Sequence, residues 1–118
     1  MTTIAPAKQS LAGISANGTA YLWETITVAN GDGDWIPVAG ARAIGFSATG
    51  TWDSNTLTFQ GSHMADKSLP FALTTLAGGA AALTANGALS VADLPLWVRP
   101  LNASGTTVDI DATVHVAR

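Results

Sequence analysis

The sequence has no cysteine, which excludes disulfides, thiolate zinc sites and cysteine nucleophiles together. Charge is scarce as well: charged residues are 11% of the chain, less than half of the roughly one quarter usual in a soluble domain. A surface so thinly charged is poorly defended against association. Five Lys and Arg stand against eight Asp and Glu, a net charge of -3. Neither sign is clustered, so a phosphate-tracking groove is not expected and no nucleic-acid partner with it. Between Met1 and Ser15 the only positive charge is Lys8, and no apolar run has the length of a secretory signal. The stretch of lowest polarity, Leu76 to Leu83, holds Gly78 and Gly79 and falls far short of the roughly 20 apolar residues of a membrane helix. A soluble protein with no membrane partner is expected.

What the chain does contain is small and apolar. Hydrophobic residues reach 47% but aromatics only 7%, and 22 alanines stand beside 15 threonines, 12 glycines and 8 serines. That much apolar content excludes disorder of the low-hydrophobicity kind. A length of 118 residues leaves room for one core, with about 60 to 70% of the unfolded surface buried on folding.

Hydrophobic periodicity assigns the class. Val108, Ile110, Ala112, Val114 and Val116 alternate with Thr107, Asp109, Asp111, Thr113 and His115, the pattern of a half-buried strand. Asn55 to Gln60 repeats it, with Leu57 and Phe59 on one face. Tyr21 to Ala29 is rich in strand formers, but Glu24 falls in register with Leu22, Ile26 and Val28, so this strand is expected to start exposed. Ala43 to Thr49, Leu69 to Thr75, a weak pair around Ala80 to Thr84 and Ala88 to Val91, and Leu94 to Leu101 complete the set of short expected strands. Asn30-Gly31, Asp32-Gly33, Asn86-Gly87 and Ser104-Gly105 supply turn dipeptides between apolar runs. Pro95 and Pro100 remove ladder donors, so the strand they bracket is expected at a sheet edge with one neighbour only. No stretch sustains helical spacing, and in the alanine-rich Leu76 to Ala85 two glycines each cost about 1 kcal/mol relative to alanine.

The expected fold is therefore all-β, a single antiparallel β-sandwich or barrel-like domain over residues 19–118. Residues 1–18, irregular and holding Pro6 and Gly13, form an extended N-terminal arm. Phe59 to Met64 has the look of a protease-site and cloning-vector scar. It lies between two strands, however, and Ser62 to Lys67 works as an ordinary polar turn, so we read it as native.

The residues that could carry chemistry are few. His63 has Ser62 and Asp66 nearby, the residue types of a triad, but none of the strained G-x-S-x-G context that exposes a nucleophile. Asp109 and Asp111, two residues apart on a strand and about 7 Å from each other, share the outward face with His115. Paired carboxylates of a glycosidase belong in a cleft, not on an open face. Asn30, Asp32 and Asp34 occupy the first, third and fifth places of a calcium loop, yet Trp35 stands where glycine is needed and Ala41 where glutamate is. These read as a polar hairpin turn. No catalytic, cofactor-binding or metal-binding residue is assigned, and no cofactor is expected.

The tryptophans carry more information. Trp35 and Trp52 are expected to cap the two ends of the core. Trp97 shares a strand face with Arg99 and Leu101, opposite Leu94, Leu96 and Val98, and Trp with Arg is the pairing that dominates interface hot spots.

The block Gly50-Thr51-Trp52-Asp53-Ser54-Asn55-Thr56-Leu57-Thr58-Phe59-Gln60-Gly61-Ser62, followed by Val98-Arg99-Pro100 and the final alternating strand, resembles the small β-sandwich proteins of tailed-bacteriophage particles, in particular capsid decoration or cement proteins. The similarity spans about residues 43 to 116; the loop at His63-Met64-Ala65-Asp66 departs from the Asp-Gly turn of related blocks. The resemblance implies a non-enzymatic virion protein, made in the bacterial host cytoplasm and seated on the outer capsid surface. It would bind the major capsid protein and itself as a homotrimer, and stabilise the shell. Contacts are then expected from the arm, through Ile4, Pro6, Leu11 and Ile14, and from Trp97, Arg99 and Leu101. A tail, spike or fibre subunit, or a carbohydrate-binding module using exposed aromatics, are the alternatives.

Overall fold

The computed structural model describes residues 3–4, 7–9, 18–27, 31–102 and 107–118. The described residues are all-β, with no helix, and form two sheets packed face to face. In chain order the strands are β1 (Thr3–Ile4), β2 (Ala7–Gln9), β3 (Gly18–Ile26), β4 (Asp32–Gly33), β5 (Ile36–Pro37), β6 (Ala43–Thr51), β7 (Leu57–Ser62), β8 (Phe71–Ala72), β9 (Ala82–Leu83), β10 (Gly87–Val91), β11 (Trp97–Asn102) and β12 (Asp109–Ala117). One sheet runs β10-β6-β12-β3-β2. The other runs β1-β4-β11-β7-β8, with β5 also on β11 and β9 also on β7. Every strand pair is antiparallel except β1 on β4.

The alternation at the carboxyl end does what period two demands. Val108, Ile110, Ala112, Val114 and Val116 are all buried, while Asp109, Asp111 and His115 face out. β12 sits centrally, paired along its length with β6 and β3. From the other sheet Leu57 and Phe59 point in, and Phe59 stacks on Phe46 across the core, ring centroids 4.1 Å apart. Burying each such side chain contributes about 1.5 to 3 kcal/mol.

The strand expected over Tyr21 to Ala29 starts earlier, at Gly18, and its inward face is different. Trp23 and Ile26 point into the core with Tyr21 packed against it, Ala20 is buried on the other face opposite His115, Leu22 is half-buried and Glu24 exposed. The cause is a β-bulge: Ala112 pairs with Trp23 but Ile110 with Ile26, so three steps on β3 match two on β12. Thr25 takes φ 60° there, and its N–H donates to Asp111 Oδ1 at 2.9 Å. The inserted residue flips the side-chain phase, which is why Trp23 and not Leu22 enters the core. Val28 lies outside the described residues.

The Pro-bracketed strand is not at an edge. β11 has β7 on one side and β4 with β5 on the other. Val38 N–H donates to Leu96 O and Asn102 N–H to Gly31 O, each at 2.8 Å. Even-numbered residues of β11 therefore turn their backbone groups toward β4 and β5. Pro100 falls where the pairing passes from one of these short strands to the other, so its missing donor leaves no ladder bond broken. Asp32-Gly33 is accordingly a strand and not a turn, and Gly33 has no room for a side chain against the Pro100 ring and Trp23. Leu94 and Leu96, expected on the face opposite Trp97 with Val98, precede the strand and stand exposed, while Val98 is fully buried.

Leu69 to Thr75 is largely irregular, keeping only Phe71–Ala72 as a strand, and the weak pair resolves into β9 and β10. Gly61 and Ser62 belong to β7, and Ser62 is wholly buried. Of the expected arm, β1 pairs with β4 and β2 with β3. Its contact candidate Ile4 lies in β1, and Pro6, Leu11 and Ile14 lie outside the described residues.

Candidate functional site

The outward face of β11 gathers the side chains with the most recognition potential. Trp97, Arg99 and Leu101 alternate with the buried Val98, Pro100 and Asn102 and are each half-buried. The register places Gln60 opposite Arg99 and Pro37 opposite Trp97. Arg99 donates from Nε and from Nη2 to Gln60 Oε1, both at 3.1 Å, and its guanidinium lies 4.5 Å from the Trp35 ring centroid. Lys67 places its ammonium 4.5 Å from the centroid of Trp97. The face is thus tiled by two cation–π pairs, each contributing about 0.5 to 1 kcal/mol at exposed sites. Sequence reasoning puts Trp97, Arg99 and Leu101 on this face, but it places Trp35 at an end of the core and does not single out Gln60 or Lys67. Gln60 becomes legible only once the antiparallel register is known.

Trp35 does not cap the core. Ile36 takes the inward position beside it, and alternation sends Trp35 to the outer face under Arg99. Trp52 does pack against the core at the end where β6 leaves its sheet. Its indole N–H donates to Asn86 Oδ1 at 2.8 Å, and the same oxygen accepts the Gly50 N–H at 2.9 Å. In the following turn Asp53 and Ser54 have φ 47° and 55°, and Asn55 N–H donates to Trp52 O at 2.9 Å, the signature of a type I′ turn. Asp53 Oδ2 accepts the Thr107 N–H at 3.0 Å, tying this turn to the start of the last strand.

The two histidines lie apart, His63 in the turn after β7 and His115 on β12. His63 is exposed and stacks on Phe71 at 4.7 Å. Ser62 Oγ donates to Ser68 O at 2.6 Å, and Asp66 Oδ1 accepts from Ser68 Oγ at 2.7 Å and from Ser68 N–H at 3.1 Å. Those two bonds hold the Asp66 carboxyl below the usual aspartate range, the hydroxyl bond first. Ser62 and Asp66 are thus both engaged by Ser68, while His63 packs on Phe71. His115 lines a shallow groove of ≈ 520 Å³ with Gly45, Ser47, Ala88, Ser90 and Thr113. Asp109 and Asp111 lie on the open outer face of their sheet, as alternation requires. Asp34 Oδ1 accepts the Trp35 N–H at 2.9 Å, and its carbonyl accepts the Trp23 indole N–H at 3.0 Å. Asn30 lies outside the described residues. No group of three potential metal-ligating side chains occurs among the described residues.

No protein-family model matches the chain, and no curated protein and no solved structure matches it either. The resemblance to phage virion proteins rests on the residues quoted for it.

Proposed function

We propose that the protein is a non-enzymatic structural component that works by covering other proteins, a capsid decoration protein on the outer surface of a tailed-phage shell. Its partners would be the major capsid protein and further copies of itself, with the homotrimer as the assembled form. The observation that carries this reading is the outer face of β11, where Trp97, Arg99 and Leu101 stand half-buried beside Trp35. Tryptophan and arginine are the residue types that dominate hot spots, and here both are held in place by local contacts before any partner arrives. Rigid side chains lose less entropy on binding. A protein that binds only the assembled lattice stabilises it by mass action.

The test is co-sedimentation of the purified protein with expanded and with unexpanded shells of the phage that encodes it. Binding to expanded shells alone, reduced at least tenfold by Trp97→Ala with Arg99→Ala, is the expected result; absence of binding to either shell overturns the proposal. A carbohydrate-binding module is the second reading, because Trp35 and Trp97 lie on one sheet face. It predicts that the isolated protein has sugar affinity which Trp35→Ala abolishes.

A further inference from the structure

Among the described residues the exposed large hydrophobics are Met64, Leu69, Leu76, Leu94 and Leu96. Four of them belong to two loops at one end of the sandwich, where β7 finishes and β11 begins, joined by a Leu96 N–H to Ser62 O bond of 3.0 Å. Leu76 approaches from the flank and shares a cleft of ≈ 320 Å³ with Leu94 and Arg42. Leu69 is 76% exposed and held at φ 52°, a left-handed conformation that costs roughly 1 to 2 kcal/mol for a side chain of this kind. Its loop is pinned by the Ser62–Ser68 bond and by Lys67 N–H to Met64 O at 3.0 Å. The leucine is displayed by a braced loop.

Charge sorts along the same axis. Arg42 and Lys67 stand at the leucine end, and the two side-chain carboxylates of Asp66 and Asp93 there are held by hydroxyl and backbone donors: Asp66 accepts from Ser68 in its own loop, and Asp93 Oδ2 accepts from Thr74 N–H and Oγ1 of the neighbouring segment at 2.6 and 3.0 Å. The opposite end, where β3 finishes and β12 starts, exposes Glu24, Asp109 and Asp111, with no lysine or arginine beside them among the described side chains. β6 runs nine residues between the two ends. That is roughly 30 Å at about 3.3 Å per residue, well beyond a Debye length of about 8 Å. Among the described side chains, the cations of the leucine end lie too far away to neutralise the acidic end.

We propose that the leucine end is covered by the acidic end of a second copy, so that chains associate head to tail. Arg42 and Lys67 face Glu24 and Asp109 of the next copy, and Leu69, Leu94 and Leu96 lose their water. The contact is heterologous, with two different patches on each chain, and repeats into a ring or a stack. It does not depend on shell binding, and either can fail without the other.

Sedimentation velocity on the full chain tests it. The unaltered protein is expected to self-associate by about 1 mM, at least tenfold more weakly in high salt than in low. Leu69→Asp with Leu94→Asp removes one patch, and Glu24→Lys with Asp109→Lys the other; each double variant alone is expected to sediment as a monomer. Their equimolar mixture is expected to give a one-to-one dimer and nothing larger, since one leucine end and one acidic end survive between them. Recovery of that dimer also shows that both variants fold. A monomeric parent protein at about 1 mM, association that survives either double variant, or a mixture that stays monomeric overturns the proposal.

Discussion

Arg99 grips Gln60 with two nitrogens on one oxygen, Nε and Nη2 each 3.1 Å from Oε1, and in doing so lays its guanidinium against Trp35. The bond joins β11 to β7, and the ring contact joins β11 to the segment leading into β5. A single side chain therefore ties three neighbouring segments on the outer face.

Replacing it tests how much of that tie is geometric. Lysine keeps the charge but has neither the planar fork nor the stacking surface. Arg99→Lys is expected to lower stability by about 0.5 to 1.5 kcal/mol, read from the urea midpoint, and to change the tryptophan emission as Trp35 loses its cover. An unchanged midpoint and spectrum would mean that the contact is incidental.

Gly50 makes a sharper demand. It sits at φ 143° where β6 leaves the sheet, and an added Cβ would run into the backbone of Asp109 and Ile110. Because the obstacle is main chain, no side-chain rotation can relieve it. Gly50→Ala is expected to cost at least about 2 kcal/mol, well above the few tenths typical of a surface change. Equilibrium urea unfolding checks it.

How much of this could be read beforehand depends on whether the determinant is local. The last strand was legible because its five inward residues follow period two without interruption, and β7 was legible through Leu57 and Phe59 for the same reason. β3 was misread because a bulge shifts the phase between Trp23 and Ile26, and the extra residue is specified by pairing with Asp111, eighty-six positions away. Pro100 by itself signals an edge strand. The arrangement that lets it sit inside the sheet is a gap between two two-residue strands, too short to carry a periodic pattern. The candidate surface divides along the same line: Trp97, Arg99 and Leu101 share a face by alternation alone, whereas Gln60, Trp35 and Lys67 join them only through register and loop geometry.

Asn102 presents an unusual opportunity at the inward face of β11. It is 3% exposed, and neither its Nδ2 nor its Oδ1 meets a hydrogen-bond partner among the described residues. A buried amide left unsatisfied costs about 1 to 3 kcal/mol. Asn102→Leu, apolar and with the same number of side-chain heavy atoms, is expected to raise the urea midpoint, in contrast to most core substitutions. A fall of more than about 1 kcal/mol would show that the amide makes stabilising contacts in solution.

The Ser62–Ser68 loop offers a titratable handle on the leucine end. Asp66 is ionised more readily in the folded chain than in the unfolded one, because Ser68 donates to its carboxylate from the hydroxyl and then from the backbone. A depressed folded value means that the stabilisation is fully present above the unfolded aspartate value and disappears as pH falls through the folded one. Asp66→Asn keeps the size and an acceptor oxygen but removes the charge. The unaltered protein is therefore expected to be the more stable of the two at neutral pH, with the difference constant well above the ordinary aspartate range and closing as the pH falls below it. The group is fully exposed, so salt should shrink the difference at every pH. Urea midpoints of both proteins across that range decide the matter. A difference that persists unchanged at the acid end would assign the stabilisation to something other than the ionised carboxylate.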